Sequence, residues 1–124
     1  MPIELRYDLQ KNILFATIGE QITRSEFSES LEKIIHSIDY PPDVKVLWDA
    51  RLVNMPDSDK SFLKDFIEIR KKYPERGKTK LAIVVSTDLS FGMSRMYEAF
   101  SGDLPQSIMV FRNPIDGEQW LLKK

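Results

Sequence analysis

Apolar and polar positions alternate from residue 3 to residue 9, with Ile3, Leu5, Tyr7 and Leu9 set against Glu4, Arg6 and Asp8. That period of two is the signature of a strand with one buried face. A short turn at residues 10–12 leads to a second apolar run, residues 13–18. Strands joined so closely must be antiparallel, because a parallel return needs a crossover of about a dozen residues or more. The chain is therefore predicted to open with a β-hairpin.

The period then changes. Thr23 and Glu26 fit a capping box, and Ile22 with Phe27 fits the hydrophobic staple that accompanies one. The helix they start carries Phe27, Leu31, Ile34, Ile35 and Ile38 at helical spacing, and Pro41-Pro42 ends it. Residues 44–48 form the third strand. A second helix is predicted to start within residues 56–59, with Phe62, Phe66, Ile69 and Tyr73 along one side and Leu63 beside them, and it closes at Pro74. Residues 81–85 are almost wholly apolar and largely β-branched, as expected of a central strand buried on both faces. A third helix is predicted over about residues 89–100, and a fifth strand over residues 108–111. Asn113 and Pro114 then supply an N-cap and a first-turn proline for a closing helix with Trp120 and Leu121.

The order ββαβαβαβα predicts an α/β fold on a mixed sheet, an antiparallel hairpin followed by parallel βα units. Strands lying in chain order with right-handed crossovers would put the crossover helices on one face. The opposite face, assigned to Leu14, Ala16, Leu47, Ala82 and Val84, is too apolar to be left in water. Two covers are expected to compete for it: a second copy in a two-fold homodimer, or the N-terminal hairpin or closing helix folded across it.

Composition narrows the function. A chain of 124 residues, with no linker, repeat or low-complexity stretch, is expected to form a single domain spanning residues 1–124. A net charge of -1 removes the basic excess that marks a nucleic-acid module. The chain has no cysteine, which excludes disulfides, thiolate metal sites and cysteine nucleophiles. His36 is the only histidine, so no histidine-based metal site or conventional triad can be assembled in one chain. No metal or cofactor is expected. The opening residues mix acidic and basic side chains where a secretory signal needs an apolar core, and every apolar run is too short to span a bilayer. A cytoplasmic location is expected.

Three stretches carry a family resemblance: VKVLWDARLV at residues 44–53, KLAIVVSTDLSFGMSRMYEAF at residues 80–100, and the closing segment from Val110 to Leu122. Together with the element order, they make nearly the whole chain resemble the STAS-type, anti-sigma-factor-antagonist domains. Within these it is similar to the SpoIIAA-like group, some of whose members are related to the SEC14 lipid-transfer fold. The resemblance implies a non-enzymatic binding or regulatory module acting through protein partners or a small apolar ligand. It also implies a phosphorylation site at Ser58, within Asp57-Ser58-Asp59-Lys60. A phosphate at a helix start meets free N–H groups and the positive end of the dipole. Asp59 and Lys60 depart from the family pattern, standing where it has a second hydroxyl and a glycine, and an N-cap or loop serine is the plainer reading of Ser58.

The remaining candidates follow from position. Asp49 closes the third strand and Arg51 follows it, at the carboxyl end of the sheet where α/β folds tend to place ligands. A structural ion pair or loop cap is the plainer reading of both. On the third helix Leu89, Met93, Met96 and Phe100 form a core stripe flanked by Gly92 and Ala99. Phe91 falls on the other side, near Arg95 and Glu98, where it either packs under a loop or belongs to a contact surface. Phe91, Met93, Arg95 and Tyr97 join Asp49 and Arg51 as ligand or partner contacts. Gly77-Lys78-Thr79 ends like a P-loop but lacks its first glycine and leads into a strand. The basic run Arg70, Lys71, Lys72, Arg76, Lys78, Lys80 could meet a phosphate or acidic partner, but a solvated helix end is its plainer reading. The competing readings are a lipid-like ligand held between the third helix and the sheet, and a small hydrolase or transferase using Asp49.

Overall fold

Asp8 and Ile13 are the last partners of an antiparallel ladder, and the residues between them must reverse the chain. Asn12 does so in the left-handed region, at φ 53, a conformation that asparagine tolerates better than most side chains. The Lys11 N–H donates to Asp8 Oδ1 at 3.1 Å and tightens the turn. This hairpin joins β1 (Ile3–Asp8) to β2 (Ile13–Ile18). The computed structural model describes residues 3–19, 24–36, 40–41, 43–52, 80–86, 92, 95 and 107–123.

The other elements are α1 (Arg24–His36), β3 (Lys45–Asp49), β4 (Lys80–Val84), β5 (Ser107–Phe111) and α2 (Pro114–Leu122). The five strands lie in chain order, β1-β2-β3-β4-β5. The first pair is antiparallel and the other three are parallel. This is the predicted mixed α/β sheet. The capping box on Thr23, the helix predicted after residue 56 and most of the helix predicted over residues 89–100 fall outside the described residues. Of that last segment Gly92 and Arg95 are described, and both are helical and exposed.

Alternation along each strand sorts the core into two layers. One layer holds Ile3, Leu14, Ala16, Ile18, Val46, Trp48, Leu81 and Val110 against Phe27, Leu31 and Ile34 of α1. Phe27 packs on Trp48 with ring centroids 5.5 Å apart. Within α1 the buried Ser30 hydroxyl donates to the Glu26 carbonyl at 2.9 Å, so its burial leaves no orphan donor. The other layer holds Ile13, Leu47, Ala82 and Val84 with Leu121 of α2, and Phe15, Phe111 and Trp120 pack around them.

Two points of the sequence reading change here. Leu14 and Ala16, assigned to the face opposite the helices, lie in the layer of α1, and Ile13 and Phe15 take their place. The register explains the exchange: Leu14 pairs with Tyr7 and Ala16 with Leu5, and paired residues share a face. Leu47, Ala82 and Val84 are on the expected face, but α2 covers them, and none is more than 2% exposed. Of the two covers expected, the closing helix is the one observed.

α2 can lie that close because residue 117 is glycine. A Cβ there would meet Phe111 at 3.4 Å and Ala82 and Leu47 at 3.5 Å, so the helix backbone rests directly on β3, β4 and β5. Asn113 caps its start, with Oδ1 accepting from the Ile115 N–H at 2.8 Å. At its far end the Lys80 ammonium donates to the carbonyls of Trp120 and Lys123. It also sits 5.2 Å from the centre of the Trp120 ring. A cation at a helix C-terminus is favoured by the macrodipole, which gives Lys80 of the basic run a structural role.

Candidate functional site

Parallel strands end together, so the carboxyl ends of β3, β4 and β5 form one rim of the sheet. Two backbone bonds align it: the Ala50 N–H donates to the Val84 carbonyl at 2.8 Å, and the Val85 N–H to the Phe111 carbonyl at 2.9 Å. Asp49, Arg51, Leu52, Ser86, Arg112 and Asn113 lie on or just beyond this rim.

Asp49 and Arg51 are brought together. The guanidinium grips the carboxylate through two bonds, Nε to Oδ1 at 2.9 Å and a terminal nitrogen to Oδ2 at 2.8 Å. The Arg51 backbone N–H adds a longer contact to Oδ1, 3.3 Å. Arg51 lies in the turn that follows β3, and the Asp49 carboxylate accepting from the N–H two residues on makes an Asx-type turn, which allows a fork so close in sequence. The Asp49 side chain is 18% exposed and that of Arg51 is 47% exposed. Hydrogen bonding from Arg51 holds the Asp49 carboxyl below the usual range, against a smaller opposing effect of burial. The same bond raises the pKa of the Arg51 guanidinium. Chemically this is an ionised carboxylate with both oxygens occupied, unlike the raised and available carboxyl that general acid–base work near neutrality calls for.

Next to the pair, the Ser86 hydroxyl donates to the Arg51 carbonyl at 2.9 Å and ties the loop after β3 to the end of β4. Leu52 is 62% exposed on that loop. Neither residue stood out in the sequence. Their only signal was position, each just past the carboxyl end of a parallel strand.

Arg95 is helical and exposed. Ser58, Phe91, Met93 and Tyr97 lie outside the described residues. His36 is exposed in the last turn of α1, where the helix dipole suits it. Among the described residues no three histidine or carboxylate side chains gather in a way that could hold a metal ion. None of the described helices is long and apolar enough to cross a membrane.

The opposite rim, at the amino ends of β3 and β4, is built differently. The Tyr7 hydroxyl donates to Asn12 Oδ1 at 2.8 Å, Asn12 Nδ2 donates to Asp43 Oδ1 at 3.2 Å, and the Lys45 N–H donates to the Asn12 carbonyl at 3.1 Å. Tyr40 meets the Tyr7 ring edge-on at 5.2 Å. Lys11 forms an ion pair with Glu118 of α2. The Tyr7 bond stays within the hairpin, while those of Asn12 to Asp43 and of Lys11 to Glu118 join segments far apart in the chain, and together they hold the hairpin, β3 and α2 in place.

No protein-family model matches the chain, and no curated protein matches it by sequence. Among solved structures the chain is similar to an uncharacterized protein of the DUF3478 family from Shewanella loihica, whose crystal structure is described as having a SpoIIAA-like fold. The TM-score is 0.64 at 16% identity, covering 96% of this chain and 91% of the other. With the strand order and register above, that likeness establishes the architecture: the chain has a SpoIIAA-like α/β fold.

Proposed function

We propose that the chain is a non-enzymatic, cytoplasmic STAS-like module that works by contact, with the carboxyl rim of the sheet as its recognition end. The observation that carries this reading is the Asp49–Arg51 fork. Asp49 is the one acid that the sequence placed at the ligand-bearing end of the sheet, and both its oxygens are engaged by Arg51. A paired, low-pKa carboxylate makes a poor general base and a good fixture for an exposed guanidinium. It presents that charge beside the 62% exposed Leu52. An oriented arginine beside an exposed apolar side chain suits a protein surface, where arginine is enriched among the residues that carry binding energy.

Native mass spectrometry of the protein taken directly from cells tests this. The expected result is a complex with a protein partner, lost in Arg51→Ala and Leu52→Asp variants that keep the wild-type circular dichroism. A bound apolar molecule of lipid-like mass, unaffected by either substitution, would replace this reading with the ligand-carrier one. Turnover of a substrate abolished by Asp49→Asn would replace it with an enzyme.

A further inference from the structure

We propose that the outer edge of β5 is a self-association surface, on which a second copy of this chain lays its own β5 antiparallel about a two-fold axis at Met109. The proposal builds on the contact-module reading and names one partner and one surface for it.

The direction of the backbone groups comes first. β5 ends the sheet order and pairs on one side with β4. The Phe111 carbonyl accepts from Val85, so Phe111 faces β4, and by the period of a strand so do Met109 and Ser107. The N–H and C=O groups of Ile108 and Val110 therefore point outward. Among the described residues nothing takes them up. Unpaired strand edges are templates for another strand, and proteins that avoid such pairing usually blunt them with charge.

The two edges of this sheet differ on that point. β1 alternates Glu4, Arg6 and Asp8 along its length, and the Arg6 guanidinium lies 4.3 Å over the Phe15 ring of the neighbouring strand. β5 reads Ser-Ile-Met-Val-Phe, without a charged residue. Met109, in the middle of β5, is also 38% exposed.

A two-fold axis at Met109 uses all four outward groups. Ile108 then faces Val110 of the second copy, and Val110 faces its Ile108, each couple exchanging two N–H···O bonds. Met109 faces its own counterpart as the non-hydrogen-bonded pair between them, with Cα atoms about 4.5 Å apart. β-Branched residues oppose each other on one face and methionines on the other, and no charge meets a like charge. The closed two-fold arrangement leaves the β1 edges outermost, where their charges discourage further growth.

Light scattering over a concentration series is expected to show a dimer dissociating on dilution. Met109→Lys, a change at a partly exposed side chain, is expected to weaken it about a hundredfold or more by setting two ammonium groups face to face. The chain has no cysteine, so Met109→Cys provides a single thiol, and the Cα spacing of its pair suits a disulfide. Mild oxidation is expected to cross-link it rapidly, while Leu9→Cys, at a position 79% exposed on the hairpin turn, cross-links only at the collisional rate. A monomer at every concentration overturns the proposal, as does a dimer indifferent to Met109→Lys or one that cross-links no faster at residue 109 than at residue 9. A monomer that still carries a protein partner dependent on Arg51 would overturn this edge and leave the contact-module reading standing. A Met109-dependent dimer that turns over substrate through Asp49 would do the reverse.

Discussion

The two rims of the sheet spend their polar groups differently. At the amino rim, Asn12, Lys11 and Lys80 bond to Tyr7 and Asp43, to Glu118, and to the end of α2. Two of those contacts span 107 and 40 residues of chain. At the carboxyl rim, Asp49 and Arg51 bond to each other across 2 residues, and the Ser86 hydroxyl reaches the Arg51 carbonyl. Long-range bonds hold elements together, whereas a local pair orients a charge without anchoring anything distant. The amino rim is the assembled end of the molecule and the carboxyl rim the presented one.

If that contrast is right, damage near the amino rim costs stability and damage at the carboxyl rim costs binding. The largest effect is expected at Leu121, which is 1% exposed under α2 close to the Lys80 cap. Leu121→Ala should lower the unfolding free energy by about 2–5 kcal/mol, measured by denaturant titration. A loss below that range would mean that α2 is only loosely seated on the sheet.

Asn12→Ala should cost about 2 kcal/mol, combining a less tolerant residue at positive φ with the loss of bonds to Tyr7 and Asp43. Asn12→Gly keeps the backbone freedom and should cost less. Equal losses in the two variants would assign the whole effect to the side-chain bonds.

At the other rim, Asp49→Asn should change stability at neutral pH by less than about 1 kcal/mol, since the guanidinium it meets is half exposed. Its signature is in the pH dependence. The folded pKa of Asp49 is depressed, so its contribution is present above the unfolded value of about 3.9 and is lost as pH falls through the lower folded value. The wild type should therefore lose more stability than Asp49→Asn between about pH 5 and the acid limit, as read by melting temperature. Parallel curves would show that the fork adds nothing to folding.

The smallest effect is expected from Lys11→Ala. Its ion pair with Glu118 crosses the amino rim but is solvent-exposed, with the lysine side chain 44% accessible. Screening should make the difference from wild type vanish at high salt. A salt-resistant loss would show that this contact matters more to the seating of α2 than its exposure implies.

The elements themselves were legible because each announces itself within a few residues. Alternation of Ile3, Leu5 and Tyr7 marked β1, the 13–18 run marked β2, and Asn113-Pro114 marked the start of α2, whose cap geometry agrees. Strand ends shifted by one residue at β1, β3, β4 and β5, where pairing decides the last position. The side on which Leu14 and Ala16 lie was misread. In β2 apolar residues occupy both parities, so only the ladder to Tyr7 and Leu5 separates the faces. The candidate site was partly legible: Asp49 and Arg51 were named from their place at a strand end, whereas Ser86 and Leu52 carried no pattern of their own.

By itself, the sequence determined the order of the five strands with the first and closing helices, the antiparallel opening and the impossibility of thiolate chemistry, because these depend on local periodicity, turn length and composition. Tertiary structure decided what covers the second face. Gly117 matters there only because α2 descends onto Leu47, Ala82 and Phe111, residues from three different strands that meet only in the folded sheet. It also decided that Asp49 faces Arg51, since a carboxylate and a guanidinium nearby in sequence become a fork only when the turn after β3 folds the one back onto the other.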